Sequence, residues 1–383
     1  MRQPSLSDHQ NLYNLLPHNI LANALQRGAT LRWLGNDNFN GRKQDVIAFT
    51  LRNGQVWNLF FDSQTRLLTK HSWFYTKNVW GDTMGEFIFT GYRDSQGTKV
   101  PSTRVGYQGG ILKSEMHYRD VIFNPEIVDS FYDLPGSLTV LKTVEPKTEV
   151  LTLAPKIYLV RSLAGGFNVL AVEFDDFVLA GEAQEEDIVN GISSEAVDLI
   201  KKTIPNKPIK YVVLTHFHHD HFSGVRAFIS EGAAIITTQG NISFLNRVAS
   251  AKFTFAPDLL ARRPRKLELE TFSGRKRIIK DDNQTVEIHE IGPLNHCNEM
   301  LVIYLPKEKL LFQSDLFNPI NPAIISTEDD PYHGINGKDS ESLLNTIRRL
   351  GLNVEKIAGS HGRLSTMAEL IEEVEKNKAA KKR

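Results

Sequence analysis

The chain has 383 residues, of which 41% are hydrophobic and 23% are charged. This composition is typical of a globular protein of about two domains and argues against a disordered or fibrous chain. The 45 basic residues balance the 45 acidic residues, so no net charge attracts phosphates, and a general nucleic-acid-binding function is disfavoured. Cys297 is the single cysteine, which excludes an internal disulfide and any site built from several cysteines.

The first 150 residues are predicted to form a β-rich domain. Short runs of β-branched and aromatic residues alternate there with turn signals such as Asn53-Gly54, which is typical of antiparallel strands joined by hairpins. The predicted strands cover residues 45–51, 56–61, 67–75, 86–92, 104–107 and 111–123. We therefore expect an N-terminal antiparallel β domain over residues 1–150, arranged as a curved meander or half-barrel.

Residues 151–383 are predicted to form a second domain, of the α/β class. Apolar strand-like runs at 211–214 and 233–237 enclose a helix-like segment at 224–230, and such alternation is typical of a layered α/β structure. Further strands are predicted at 158–162, 169–174, 286–291, 301–305 and 310–313.

Two helices near the end of the chain carry start signals. Asp339 or Ser340 is predicted to cap the first, whose apolar residues share one face. Thr366 and Glu369 have the spacing of a capping box, which predicts the start of the second.

A cluster of metal-binding residue types follows the predicted strand at 211–214. Residues 215–224 read Thr-His-Phe-His-His-Asp-His-Phe-Ser-Gly and contain four of the chain's twelve histidines. Imidazole is the commonest metal ligand in proteins, and carboxylate is its usual hard partner. Packing alone gives no reason for these groups to crowd one loop, because they repel one another when protonated. The cluster therefore predicts a metal site.

The spacing within the cluster divides its residues. In an extended loop, residues i and i+2 point the same way, so His216 and His218 can bind one ion together. Asp220 and His221 follow where the chain turns toward the helix, and they can bind a second ion beside the first. His219 is out of phase with these residues and is not predicted as a ligand.

The motif His-x-His-x-Asp-His after an apolar strand resembles the metallo-β-lactamase fold superfamily. The resemblance covers roughly residues 150–365 and implies a four-layer αββα sandwich whose metal site lies at one edge, between two sheets. In that family the remaining ligands arrive in a fixed order: a histidine, an aspartate at a strand end and a last histidine. His296, Asp315 and His361 match that order.

The resemblance implies a centre of two divalent ions, with Zn²⁺ expected and Fe or Mn as alternatives. The implied ligands are His216, His218 and His296 for the first ion, Asp220, His221 and His361 for the second, and Asp315 between both. Two such ions, about 3.5 to 4 Å apart, can hold a shared water as hydroxide and stabilise the oxyanion formed when it attacks a carbonyl or phosphoryl centre. Asp220 is the predicted catalytic residue, because it can also orient that water or take its proton.

Two positions depart from the family's usual pattern. Many members carry Asp-Thr-Gly at the end of an early strand, where residues 178–183 of this chain read Val-Leu-Ala-Gly-Glu-Ala. Glu182 is predicted to take the place of that aspartate beside the ligands. Cys297 follows His296, where a small hydroxyl residue is usual. We expect a buried and inert thiol there, with a soft contact to the metal as the alternative.

The surroundings of the ligands favour a hydrolase of small-molecule esters or lactones, since a fold alone does not fix a substrate. Asp315 departs from the family's β-lactamases, which usually have cysteine or serine there. The glutathione-binding region of glyoxalase II-type thioesterases is not found in the 22 residues after His361, and neutral charge argues against a nuclease. The alternatives are a metallo-β-lactamase acting on β-lactams and an iron-dependent persulfide dioxygenase-like oxidoreductase. Flavodiiron proteins are disfavoured, because they usually have glutamate where His218 stands.

Two regions are candidates for contact with substrate or ligand. Residues 318–338 are predicted to form a loop over the site with Tyr332 or His333 facing substrate, and a plain surface loop is the alternative. The N-terminal domain resembles lipoprotein-carrier-like domains in its strand rhythm and in the run at 91–101. Its aromatic residues are typical of a sheet core, and an apolar or lipid-like ligand held there is the second hypothesis.

The cellular compartment is not fixed by the sequence. No stretch approaches the ~18 apolar residues that span a bilayer, and the N-terminal residues lack the order of a secretion signal. We expect a soluble protein without a membrane span, exported or periplasmic if a leader has been removed and cytoplasmic otherwise.

Overall fold

The computed structural model describes residues 16–77, 79–126, 128, 147–163, 166–184, 191–271, 274–319 and 337–380. The fold divides into two compact units. The first comprises Met1–Thr76 and Asp82–Leu138, and the second comprises Lys77–Gly81 and Thr139–Arg383. The domain boundary expected between residues 150 and 151 stays a prediction.

The first unit is built around an antiparallel sheet. Its strands are β1 (Arg32–Phe39), β2 (Arg42–Thr50), β3 (Val56–Asp62), β4 (Leu68–Lys77), β5 (Gly81–Thr90), β8 (Thr103–Gln108) and β9 (Ile111–His117), with a separate hairpin of β6 (Arg93–Ser95) and β7 (Thr98–Val100). In the described residues the sheet order is β1-β2-β3-β4-β5-β8-β9, so neighbours in sequence pair in space. The predicted antiparallel β domain is confirmed.

The core of this unit lies between the sheet and one helix, α1 (Pro17–Leu25). Ile20 and Ala24 of α1 are buried with Phe49, Trp57 and Phe89 of the strands. These buried aromatic residues belong to the core of the sheet, as one of the two interpretations predicted. A ligand held by them stays a prediction. The sequence reasoning missed α1 and also β1, whose residues are mostly exposed and therefore lack a period-two apolar pattern.

The second unit contains two sheets. The first holds β10 (Glu149–Ala154), β11 (Ile157–Leu163), β12 (Phe167–Glu173), β13 (Val178–Gly181), β14 (Ile209–Val213), β15 (Ala234–Thr237) and β16 (Glu268–Thr271). The second holds β17 (Lys276–Lys280), β18 (Thr285–Glu290), β19 (Leu301–Leu305), β20 (Leu310–Gln313), β21 (Lys356–Gly359) and β22 (Ser365–Thr366). Within the described ranges each sheet is ordered as its strands occur in the chain.

Helices flank both sheets. They are α2 (Ile192–Thr203), α3 (His219–Phe222), α4 (Val225–Glu231), α5 (Ile242–Ser250), α6 (Leu259–Arg262), α7 (Gly337–Leu350) and α8 (Met367–Ala380). None of the helices in the described residues combines the length and the apolar character needed to cross a lipid bilayer.

Three layers of apolar side chains hold this unit together. Residues of α2, α4, α5 and α6 pack on the outer face of the first sheet. The inner faces of the two sheets pack against each other, with Val213 opposite residues such as Ile303 and Phe312. Residues of α7 and α8 cover the outer face of the second sheet. Because the central strands are covered on both faces, they are continuously apolar. The predicted four-layer αββα sandwich is confirmed.

One of the two predicted helix starts is confirmed. The backbone N–H of Thr366 donates to Glu369 Oε2 at 2.8 Å, and the backbone N–H of Glu369 donates to Thr366 Oγ1 at 3.3 Å. This is the reciprocal capping box, and α8 begins at the next residue. The other start was predicted wrongly, since α7 already begins at Gly337 and both Asp339 and Ser340 lie inside it.

Candidate metal centre

The seven predicted ligands lie at one edge of the second unit, on loops and on the short helix α3. Strands β13 and β14 are parallel, as are β20 and β21, so the loops that follow them leave the sheets at the same edge. Residues 216–221 follow β14, Asp315 follows β20, and His361 follows β21. His296 lies in the connection between β18 and β19.

The first group of donor atoms comes from three histidines and Asp315. His216, His218, His296 and Asp315 each offer one ligand atom within 4.8 Å of the others. Nε2 of His216 lies 3.2 Å from Nε2 of His296. Asp315 Oδ2 lies 3.3 Å from His216 Nε2, 3.2 Å from His296 Nε2 and 4.0 Å from His218 Nδ1.

The second group consists of Asp220, His221 and His361, whose ligand atoms also lie within 4.8 Å of one another. Asp220 Oδ2 is 3.3 Å from Nε2 of both His221 and His361. These two Nε2 atoms are 3.3 Å apart. The group therefore converges on a single point, as the first one does.

Asp315 joins the two groups. Its Oδ2 lies 2.9 Å from His221 Nε2, and its Oδ1 lies 3.4 Å from His361 Nε2. The same Oδ2 also faces the histidines of the first group. One carboxylate thus contacts both sets of donor atoms.

The donor set fits a divalent metal ion. Tetrahedral zinc with bonds of about 2.0 to 2.1 Å requires ligand atoms roughly 3.3 to 3.4 Å apart. The facing His216 and His296 Nε2 atoms are 3.2 Å apart, and the His221 and His361 Nε2 atoms are 3.3 Å apart. Imidazole nitrogen with carboxylate oxygen suits zinc, iron and manganese. The role of the individual residues as ligands stays a prediction.

The carboxylates of the site are strongly acidic. Burial acts to raise the pKa of Asp315, but hydrogen bonds from His216, His221 and His296 outweigh it and hold that pKa far below its usual range. Burial also acts to raise the pKa of Asp220, and hydrogen bonds from His221 and His361 lower it well below its ordinary value. Both side chains are therefore ionised at neutral pH and attract cations.

The histidines respond in different ways to their surroundings. Burial lowers the pKa of His216 and that of His218, which favours the neutral imidazole that binds a metal. Burial also acts to lower the pKa of His221, but the charge of Glu182 and hydrogen bonds to Asp220 and Asp315 raise it well above its ordinary value. A metal ion bound by these carboxylates would replace the proton that they otherwise stabilise.

Glu182 lies where the sequence predicted it, beside His221, which is one of the predicted ligands. It is fully buried, its Oε2 lies 2.6 Å from His221 Nδ1, and its Oε1 accepts a hydrogen bond from Thr215 N at 2.9 Å. An acceptor at Nδ1 places the imidazole proton there and leaves the Nε2 lone pair for a metal.

Asp339 is a contact that the sequence reasoning missed. It is 5% exposed, and its Oδ2 lies 3.8 Å from His296 Nδ1, an ionic contact rather than a hydrogen bond. Its Oδ1 has no hydrogen-bond partner among the described residues. The sequence offered only a signal for a helix cap at this position, since the contact joins residues on separate elements.

Four further positions considered from the sequence have different outcomes. His219 is exposed and belongs to neither donor group of the described residues. Cys297 is buried, its Sγ donates a hydrogen bond to the Glu299 carbonyl at 3.3 Å, and burial raises its pKa to about 11, as expected of an inert thiol. Tyr332 and His333 lie outside the described residues.

The family comparison matches part of the second unit. Residues 180–361 match the family model of the metallo-beta-lactamase superfamily. A linear primary-alkylsulfatase from Pseudomonas sp. is 49% identical over 45 residues, which is 10% of this chain and 8% of that protein. The matched part is thus less than a tenth of the length of that curated relative.

The comparison with solved structures gives matches at low sequence identity. A metallo-β-lactamase from Pontibacter korlensis is 19% identical, with a TM-score of 0.41, and the match covers 60% of this chain and 98% of that one. The stereoselective inverting sec-alkylsulfatase Pisa1 from Pseudomonas sp. is 16% identical, with a TM-score of 0.40, and the match covers 58% and 40% of the respective chains.

Proposed function

We propose that the protein is a metal-dependent hydrolase of small-molecule esters or lactones. The proposal starts from the match of residues 180–361 to the metallo-β-lactamase superfamily. The two donor groups would hold two divalent ions, and Asp315, which lies near histidines of both groups, would serve as a ligand for either. Zn²⁺ is the proposed metal, because nitrogen and oxygen donors about 3.3 Å apart suit its tetrahedral geometry.

The position of Asp315 is the observation that carries this proposal. Its carboxylate lies within 4.0 Å of His216, His218 and His296 and within 3.4 Å of His221 and His361. Its side chain is only 15% exposed. A buried carboxylate is expected to be paired or to bind a metal ion, and imidazole is the commonest metal ligand in proteins.

The bound ions would lower the pKa of water and stabilise the negative charge that develops on a substrate oxygen. The residues of the chain orient the metal-binding imidazole rings and accept the proton of the attacking water. Glu182 fixes the His221 ring through Nδ1, and Thr215 Oγ1 lies 3.0 Å from Nδ1 of His216. Both rings are thereby held with Nε2 toward the site.

Asp220 is the proposed acceptor of the proton. Its side chain is 39% exposed, compared with 15% for Asp315, so it can reach a water that enters from solvent. Its low pKa keeps the carboxylate ionised and able to orient that water. A weak base of this kind serves mainly to position the water and pass its proton to solvent.

The proposal is tested with the variants His218→Ala and Asp315→Ala. We expect each to lower ester or lactone hydrolysis by at least about a hundredfold, because each removes a donor atom of the site. Metal content is measured in parallel, and chelation should abolish activity in the parent protein. His219→Ala is the matched control, since it removes an exposed imidazole from the same loop and should retain activity.

The substrate panel distinguishes the related activities. It contains lactones, carboxylic esters, β-lactams, thioesters and phosphodiesters, and iron and zinc are titrated in the purified protein. If the protein hydrolysed only β-lactams, or if its iron-loaded form oxidised persulfides, the proposed ester or lactone hydrolysis would be wrong. Hydrolysis that persists in both His218→Ala and Asp315→Ala would refute it.

Sulfate-ester hydrolysis is a second candidate activity. The 45-residue segment that is 49% identical to a linear primary-alkylsulfatase favours it. Straight-chain primary alkyl sulfates are therefore added to the panel, and release of inorganic sulfate is the measurement. Rapid release of sulfate with slow ester turnover would select this activity over the first.

A further inference from the structure

A pocket adjoins the candidate metal centre. It has a volume of about 450 Å³ and is lined by Phe217, Gly240, Asn241, Phe244, Asn298 and Glu299. This volume lies within the range of roughly 300 to 1,000 Å³ that is typical of small-molecule sites.

The lining residues connect the pocket to the donor groups. Phe217 stands between His216 and His218, and its ring centroid lies 5.0 Å from that of His218. Asn298 and Glu299 closely follow His296, whose ring centroid is 4.6 Å from that of His218. The pocket therefore borders the side of the centre formed by His218 and His296.

The two aromatic walls make the pocket suited to apolar groups. Phe217 is 52% exposed, although it follows a buried ligand. Phe244 is partly buried, and its ring packs edge-on against Phe222 at 4.8 Å between centroids. Apolar surface left exposed in a concave site is stabilised when a ligand covers it.

Glu299 gives the pocket one fixed charge. Its Oε2 accepts a hydrogen bond from Gly240 N at 3.1 Å. A Cβ at Gly240 would lie only 2.6 Å from that same oxygen, so the absence of a side chain there allows the carboxylate to sit against the backbone. The amides of Asn241 and Asn298 are neutral. An anionic group inside the pocket would face this carboxylate without a lining cation to offset it.

We propose that this pocket holds the uncharged, apolar acyl or alkyl part of the substrate, with Phe217 and Phe244 as its walls and Glu299 rejecting an anionic end group. The inference rests on the proposed function and specifies its substrate class. It also sets the direction of binding, with the reacting group between the donor groups and the apolar part on the side of His218 and His296.

The kinetic test uses 4-nitrophenyl esters of straight-chain acids, from acetate to octanoate, with the metal-loaded protein. We expect kcat/KM to rise roughly fourfold per methylene until the pocket is filled, from the transfer free energy of a buried methylene. Phe217→Ala should flatten this dependence. Ile278→Ala is the control, because it also removes an exposed apolar side chain in the second unit but lies outside the pocket lining.

The charge test compares the octanoate ester with the mono-ester of octanedioic acid, which places a carboxylate at the far end of the chain. We expect the anionic ester to be disfavoured at least about fivefold. Glu299→Gln keeps a hydrogen-bond acceptor for Gly240 N while removing the charge, and should bring the two substrates close to equality.

A binding measurement separates this inference from the proposed function. Calorimetry with 1-butanol, 1-hexanol and 1-octanol reports on the pocket without turnover. Affinity that rises with chain length and is lost in Phe217→Ala supports the pocket even if no ester is hydrolysed, in which case only the proposed activity fails. Ester turnover with equal chain-length dependence in the parent protein and Phe217→Ala overturns the pocket and leaves the hydrolase standing.

Discussion

Carboxylates outside the two donor groups hold the histidines of the candidate centre. Glu182 contacts His221 Nδ1 at 2.6 Å and does so from a backbone φ of 79°. A left-handed backbone is uncommon for a non-glycine residue and is retained at functional sites when the surroundings impose it. The hydrogen bonds of both Glu182 oxygens provide that constraint.

Asp339→Asn tests the second of these supporting carboxylates. Loss of the charge facing His296 Nδ1 is expected to weaken binding at the first donor group by about 10- to 100-fold, since such contacts raise ligand basicity. A competitive titration with a chromogenic chelator measures both sites separately. Glu341→Gln removes a charge from the same helix and should leave both affinities unchanged; equal loss in the two variants would assign the effect to the charge of the helix.

At the scale of elements, paired strand ends bring distant ligands side by side. Gly181 is in register with Val213 in the parallel pair of β13 and β14, and Gln313 is in register with Gly359 in the pair of β20 and β21. Glu182 and residues 216–221 follow the first pair, whereas Asp315 and His361 follow the second. Lateral alignment of the strands thereby fixes the spacing of the donor atoms.

The capping box stabilises the start of α8, the helix that follows the loop of His361. Thr366→Ala should lower the free energy of unfolding by about 1 kcal/mol, because it removes the acceptor for Glu369 N and exposes a helix start. Urea unfolding measures the change. Ser342→Ala, which removes an exposed hydroxyl in the interior of α7, should stay within about 0.5 kcal/mol. A cap variant as stable as this control would contradict the expectation.

The sheet of the first unit contains a buried histidine that predicts a pH dependence. His71 is 1% exposed, its ring centroid lies 4.2 Å from that of Trp57 and 4.8 Å from that of Trp73, and both its nitrogens lack partners among the described residues. Burial lowers its pKa to about 3 from its ordinary value of 6.5. Between these values the unfolded chain binds a proton that the folded unit does not.

The contribution of buried His71 to the free energy of unfolding is therefore fully present above about pH 6.5 and decreases as the pH drops toward 3. The decrease amounts to at most about 1.4 kcal/mol per pH unit. Urea unfolding followed by tryptophan fluorescence at about pH 7, 6 and 5 measures the slope. His71→Phe should reduce it, and His117→Phe, at an exposed position in the same unit, should not. Parallel slopes for all three proteins would contradict the assignment.

At the scale of the whole chain, the donor groups connect four distant segments of the second unit. Residues 216–221 lie in the loop after β14 and in the short helix α3, whereas His296, Asp315 and His361 each come from a separate loop. A metal ion bound by them therefore favours the folded second unit over the unfolded chain, in which these segments are far apart.

Zinc is expected to raise the free energy of unfolding of the second unit by about 2.7 kcal/mol at a concentration one hundred times its Kd. Thermal unfolding with and without a chelator measures this change. The increase should be absent in Asp315→Ala and retained in His219→Ala. Equal stabilisation of both variants would show that the ion binds elsewhere.

The features that depend on local order could be predicted from the residues alone. The apolar runs of the αββα unit were readable because its central strands are buried on both faces, and the spacing of His216 to His221 indicated a metal site because these residues share one loop. Exposed elements such as β1 left no such pattern.

The contacts between distant groups could be found only in the folded chain. The contact of Asp339 with His296, the convergence of Asp315 on both donor groups, and the pocket between Phe217 and Glu299 all join residues separated by long stretches of chain. Such contacts follow from strand register and layer packing, which a local sequence pattern does not encode. The predicted ligands could therefore be identified from the sequence. The carboxylate of Asp339 beside His296 and the pocket beside the donor groups became visible only in the fold.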